Sequence, residues 1–71
     1  MSSAELTIQL NGVPQQVPAG LTIAGLIERL ALQQRRIAVE LNGTIVPRTL
    51  HAQQTVQAGD QIEVVTAIGG G

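Results

Sequence analysis

Apolar and polar residues alternate strongly near both ends of the chain. In "ELTIQL", Leu6, Ile8 and Leu10 share one face and Glu5, Thr7 and Gln9 the other, the period of a half-buried strand. Asn11-Gly12 follows, the dipeptide that best suits a two-residue hairpin turn. Such a turn pairs Leu10 with Val13 and Leu6 with Val17, while Pro14, which cannot donate to a ladder, predicts that "VPQQV" is an edge strand. The period then changes. After the breaker "PAG", Thr22 is a suitable N-cap, and Ile23, Leu26, Ile27 and Leu30 form one apolar stripe of a helix that the polar loop "QQRR" ends. Gly25 weakens that helix by roughly 1 kcal/mol relative to Ala, and close packing of helix on sheet is the expected reason for it. Alternation returns in "IAVELN", with Ile37, Val39 and Leu41 inward. After Asn42-Gly43 the register is open: a two-residue turn buries Val46, a bulged loop Ile45. "RTLHAQQTVQ" has no clear period and is predicted to hold one helical turn; "AGDQ" reads as a turn, and "QIEVVTAI" is the last strand, with Ile62 and Val64 inward.

The predicted order is β-β-α-β-β-β. The first and last strands alternate most strongly and contain no proline, so they are expected to be central, parallel neighbours. An amphipathic helix of about three turns then covers one face of a mixed sheet of four to five strands. This α+β arrangement is the β-grasp, or ubiquitin-like, architecture. Residues 1–68 make the predicted domain, and 69–71 a flexible glycine tail.

Composition narrows the possible functions. At 71 residues, with no Cys and one His, a disulfide or metal staple is not available, and the core must be aliphatic because Phe, Tyr and Trp are absent. A net charge of -1, from four Arg against four Glu and one Asp, is a poor footprint for nucleic acid, and stacking aromatics are missing. No apolar run approaches a bilayer span and no basic-then-apolar leader is present, so the expectation is a soluble cytoplasmic protein without membrane association, monomeric when free.

Side-chain catalysis finds no candidates. His51 has no Cys and no evident Asp partner, and a structural or solvent-facing role is favoured over a functional one. Glu40 and Glu63 fall at outward strand positions rather than converging in a cleft. "PAGLTIAG" has the wrong spacing for a phosphate loop and no Lys. Neither a metal nor a bound cofactor is expected, and the chain is not expected to be an enzyme.

What remains is the α-carboxylate of Gly71, ionised at neutral pH and a poor electrophile until another protein activates it. Gly69, Gly70 and Gly71 have no Cβ atoms and span at most roughly 10 Å, a thin thread that can enter a partner's active site. A frayed end or an expression remnant is the competing reading; the lack of a polar linker between the last strand and the glycines speaks against it.

The chain resembles the ThiS family of sulfur carriers along its whole length. The similarity runs from "LNG" at Leu10-Asn11-Gly12, through "IVPR" at Ile45-Val46-Pro47-Arg48 and "AGDQIEVV" at Ala58 to Val65, to the glycine end. That resemblance implies the ubiquitin-like fold and a division of labour. A ThiF-like adenylyltransferase consumes ATP to adenylate the terminal glycine, and a persulfide donor supplies sulfur that displaces AMP. A ThiG-like thiazole synthase then takes sulfur from the resulting thiocarboxylate during thiamin biosynthesis. By position the modified group is that of Gly71, threaded by Gly69 and Gly70. The usual family ending is Gly-Gly, so the third glycine is a variation, and many relatives carry Trp where this chain has His51. A carrier for molybdopterin synthesis, a ubiquitin-like modifier and a non-reactive binding module remain the alternatives.

A carrier also needs a recognition face. Ala38, Val65 and Ala67 are expected to lie outward on neighbouring strands beside the tail as an apolar docking patch, with Arg35, Arg36 and Arg48 as a charged rim. Without Cys the terminus is the only place to hold sulfur. Without Lys no internal amine competes for it, although chance explains that absence equally well.

Overall fold

Both Asn-Gly pairs turn the chain as their backbone angles require: φ is positive at Asn11 (51°), Gly12 (82°), Asn42 (52°) and Gly43 (86°), the signature of the tight hairpin turn. The computed structural model describes residues 4–66. It runs β1 (Glu5–Leu10), β2 (Val13–Pro18), α1 (Ile23–Arg29), β3 (Ile37–Leu41), β4 (Thr44–Ile45), a 3₁₀ turn (Arg48–Leu50) and β5 (Gln61–Thr66). The five strands form one mixed sheet in the order β2-β1-β5-β3-β4. The predicted order, the central parallel pair β1 and β5, and the edge position of β2 are all observed. So is the register of the first hairpin, Leu10 opposite Val13 and Leu6 opposite Val17. The second hairpin resolves in favour of the two-residue turn: Leu41 pairs with Thr44, Val46 is buried, and Ile45 is 56% exposed.

Inward residues of the sheet meet the helix stripe. Ile8, Leu10, Val17, Val39, Ile62 and Val64 pack with Ile23, Leu26 and Ile27, and Leu6, Ile37 and Leu41 border them. Val56 completes the core from the aperiodic stretch. Sequence periodicity misses Val56 because tertiary bonds, not a regular element, carry it inward. Its N–H donates to the Leu21 carbonyl (2.9 Å), and Thr55 bridges Thr22.

The same stretch finishes the start of α1. The Ile23 N–H donates to the Gln54 carbonyl (2.8 Å) and the Ala24 N–H to that of His51 (2.9 Å). The Gly25 N–H donates to Thr22 Oγ1 (3.1 Å), confirming the N-cap. Three amides that a helix start leaves unpaired thus have partners. Gly25 does not mark close packing on the sheet: a Cβ there would come within 2.8 Å of the Leu21 side chain, just ahead of the helix.

The helix is shorter than predicted, seven residues or about two turns, and it stops before the polar loop begins. Ala31 turns it off. With φ of 59°, it donates to the Glu28 carbonyl (3.0 Å), and Leu32 donates to that of Ile27 (3.1 Å). This is the paired-bond ending usually made by glycine. For an alanine, a left-handed conformation costs about 1–2 kcal/mol. Ala31→Gly is therefore expected to raise stability by about 0.5–1 kcal/mol after glycine's greater unfolded-state freedom is counted. A higher urea midpoint at unchanged slope is the expected reading, and an unchanged or lower midpoint contradicts it.

Candidate functional site

β5 leads toward the glycine end, and its neighbours hold it on both sides. β1 is parallel to it over only Gln9–Leu10, where the Gln9 N–H donates to the Asp60 carbonyl and the Asn11 N–H to that of Ile62, each at 2.9 Å. β1 then ends in its turn, but the Asn11 side chain continues the ladder. Its Oδ1 accepts from the Val64 N–H (2.9 Å) and its Nδ2 donates to the Val64 carbonyl (3.2 Å). One carboxamide thus takes the place of the next peptide group.

The second hairpin does a similar job from the β3 side. Asn42 donates its N–H to the Gln61 carbonyl (2.7 Å), accepts from the Gln61 N–H through Oδ1 (2.9 Å), and donates through Nδ2 to Asp60 (3.1 Å). The other oxygen of Asp60 accepts from the Gln57 N–H (2.7 Å), which closes the turn before β5. Sequence reasoning read both asparagines as turn residues and missed these roles. An amide just beyond a strand end is indistinguishable in sequence from any other hairpin Asn.

On the sheet face away from the helix, Ala38 and Val65 are directly opposite one another across β3 and β5, and both are exposed, Val65 by 57%. Two of the three predicted patch residues are therefore brought together. Ala67, like Gly69, Gly70 and Gly71, lies outside the described residues. Further from the chain end on the same face, Glu40 is opposite Glu63, and Ile45 stands beside Glu40 on β4. Both carboxylates lie on this outer face, a charged strip between Ile45 and the Ala38–Val65 pair; they do not converge in a cleft. Of the predicted charged rim, Arg48 joins Arg35 by donating from Nη2 to its carbonyl (3.1 Å), and all three arginines are exposed.

His51 is 8% exposed, the one buried polar side chain among the described residues. Its Nε2 bonds the Val46 carbonyl (3.0 Å), which fixes the proton on that nitrogen. Backbone and side chain of His51 thus tie the 3₁₀ turn to α1 and to β4's exit; of the structural and solvent-facing roles favoured together from sequence, the structural one is observed. A cavity of about 210 Å³ beside it is bordered by Ala24, Ile27, Ile37 and Arg48. Among the described residues no group of three His, Asp or Glu side chains is placed to hold a metal ion, and no helix is long and apolar enough to cross a membrane.

The ThiS family profile matches residues 8–71. The chain is 41% identical over 66 residues to the sulfur carrier protein ThiS of Escherichia coli, covering 93% of this chain and all of that one. It is 38% identical over 66 residues to a thiazole synthase of Paramagnetospirillum magneticum, of which it spans only 20%. The crystal structure of a thiamine biosynthesis protein, ThiS, from Geobacter metallireducens superposes with a TM-score of 0.80 at 32% identity, covering 93% of this chain and all of that one.

Proposed function

The chain belongs to the ThiS family, and we propose that it is a sulfur carrier of thiamine biosynthesis whose reactive group is the carboxylate of Gly71. It is a carrier and not a catalyst. The observation that carries this reading is the match of the fold, along its length, to a sulfur carrier, together with a sequence that ends in three glycines two residues after the central strand β5. Nothing in the described fold competes for the chemistry: the single histidine is committed to a backbone carbonyl, Glu40 and Glu63 lie on the outer sheet face, Glu28 is exposed on α1, and Asp60 is tied into the turn before β5.

The steps follow from what a carboxylate needs. A ThiF-like adenylyltransferase joins the Gly71 carboxylate to the AMP of ATP and releases pyrophosphate. That mixed anhydride supplies the leaving group an ionised carboxylate lacks. The terminal sulfur of a persulfide donor attacks the acyl carbon and AMP leaves, giving an acyl disulfide. A second thiol then attacks the donor sulfur, breaking the S–S bond, so that the thiocarboxylate leaves and the donor and that thiol are joined as a disulfide. ATP is consumed by the partner and does not reside on the carrier, and this ATP-dependent activation belongs in the cytoplasm. A ThiG-like thiazole synthase is the acceptor. The similarity of this whole domain to a fifth of a thiazole synthase chain supports that partnership.

Gly69 and Gly70 thread the terminus into each partner in turn, and the Ala38–Val65 pair, extended by Ala67, forms the docking patch beside it. Val65→Asp places a charge at the centre of that patch without entering the core, because Val65 points away from the helix. The expected outcome is an intact fold and a rise of about tenfold or more in the KM for adenylation. That is the scale expected when a partner must strip water from a carboxylate where it would otherwise cover an apolar side chain. Unchanged adenylation kinetics in the folded variant remove the patch from the account. The proposal as a whole is tested by incubating the chain with ATP, the activating enzyme and a sulfur donor, then measuring intact mass. Exchange of one oxygen for one sulfur at the C-terminus is the expected result; an unmodified chain overturns it.

A further inference from the structure

β5 is not bonded along its whole length, and the gap falls beside the reactive end. On the β3 side, bonding runs through Gln61 and, by strict alternation in an antiparallel ladder, Glu63 and Val65, so Ile62, Val64 and Thr66 present their N–H and C=O groups to the other side. There, Ile62 meets the backbone of Asn11 and Val64 meets its side chain. Thr66 is the next step on the same side. It remains in register with Ile37 of β3, but β1 has already turned away at Asn11-Gly12. Thr66 is exposed. The result is half an edge: a strand paired on one flank, with an extended amide and carbonyl that no described residue claims on the other.

Unpaired strand edges are templates for another extended backbone. We propose that an extended segment of the thiazole synthase adds to β5 at Thr66, taking up the flank that β1 leaves open and continuing the ladder that the Asn11 carboxamide begins. The occupant is argued from position and chemistry. The flank lies immediately before residues 67–71, so a protein that receives Gly71 comes within roughly 17 Å of it along the chain, and a peptide N–H with its C=O is matched by another peptide rather than by a side-chain pocket. This rests on the carrier reading above. It adds a backbone register to the docking patch, so that the direction of the chain is set at Thr66, before the glycines begin.

Thr66→Pro isolates the feature. It deletes the one N–H that faces the open flank, and no β3 bond is lost because that N–H points away from β3. Binding of the full chain to the thiazole synthase of the same organism is measured by calorimetry, with Thr66→Ala as the control that keeps the N–H. The expected result is about tenfold weaker binding for Thr66→Pro at an unchanged melting temperature, and wild-type binding for Thr66→Ala. Equal binding by Thr66→Pro, or an equal loss in Thr66→Ala, overturns the proposal. Should the proline variant unfold, hydrogen exchange on the wild-type chain decides: the Thr66 amide is expected to exchange freely alone and slowly in the complex, and free exchange in the complex overturns it. Failure of the wild-type chain to bind the synthase at all counts instead against the thiazole-synthase partnership on which the proposal rests.

Discussion

A chain ending at Gly69 is expected to fold like the full chain and to accept almost no sulfur. Among the described residues every core side chain lies between Leu6 and Val64, so removing Gly70 and Gly71 leaves that packed part untouched, and stability should stay within about 0.5 kcal/mol. The new terminus is still a glycine carboxylate with the same intrinsic reactivity. Only its reach changes, by roughly 7 Å in extended chain. Reacting atoms must approach to about 3–3.5 Å, and a misplacement of about 1 Å alone can lower a rate on the order of 10²-fold. A loss of at least that size in adenylation, read as missing oxygen-for-sulfur exchange by intact mass, is therefore the expected outcome. Wild-type rates of thiocarboxylate formation in the shortened chain would show that the tail does not deliver the reactive group, and would end the central proposal.

Local chemistry explains which parts of the fold were readable. Alternation in "ELTIQL" and "QIEVVTAI" and the two Asn-Gly pairs encode their strands and turns within a few residues, and they are observed where the pattern puts them, the last strand as far as Thr66, with Ala67 and Ile68 outside the described residues. The helix stripe was equally clear, but its end was not. Leu30 continues the apolar spacing, and only the left-handed turn at Ala31, a residue that ordinarily favours helix, stops it. The Ile45 or Val46 choice depended on a turn type that the sequence permits either way. Val56 and His51 were invisible as core because they are buried by bonds to the start of α1 rather than by a period of their own. At the site, the outward face of Ala38 and Val65 followed from alternation, and their direct pairing required the register. The role proposed for the glycine end comes from elimination and family resemblance, and its residues lie outside the described ones. The anchoring of the strand before it, by two asparagine carboxamides, depends on tertiary placement and could not be read at all.

That anchoring sets the second large effect. Asn11 has two separable duties, a left-handed turn position and a pair of bonds to Val64, and two substitutions divide them. Asn11→Gly keeps the turn, since glycine adopts positive φ without penalty, and loses the bonds; the partly buried N–H and C=O of Val64 then lack protein partners, at a cost of about 1–2 kcal/mol. Asn11→Ala loses the bonds and adds the strain of a left-handed alanine, for a total of about 2–4 kcal/mol. Against the roughly 4–10 kcal/mol expected for a 71-residue domain, the alanine variant gives up a large share of its stability. The expected order in urea denaturation is wild type, then Gly, then Ala. Equal stability of wild type and Asn11→Gly would mean that the carboxamide contributes only to the turn. Function should follow the same order at temperatures where all three remain folded. Once Val64 is released, Ile62 is the last β5 residue bonded on that flank, and the strand end that aims the tail is held by β3 alone. A carrier loosened there should show faster amide exchange at Val64 and a higher KM for its activating enzyme, with the chemistry at Gly71 unaltered.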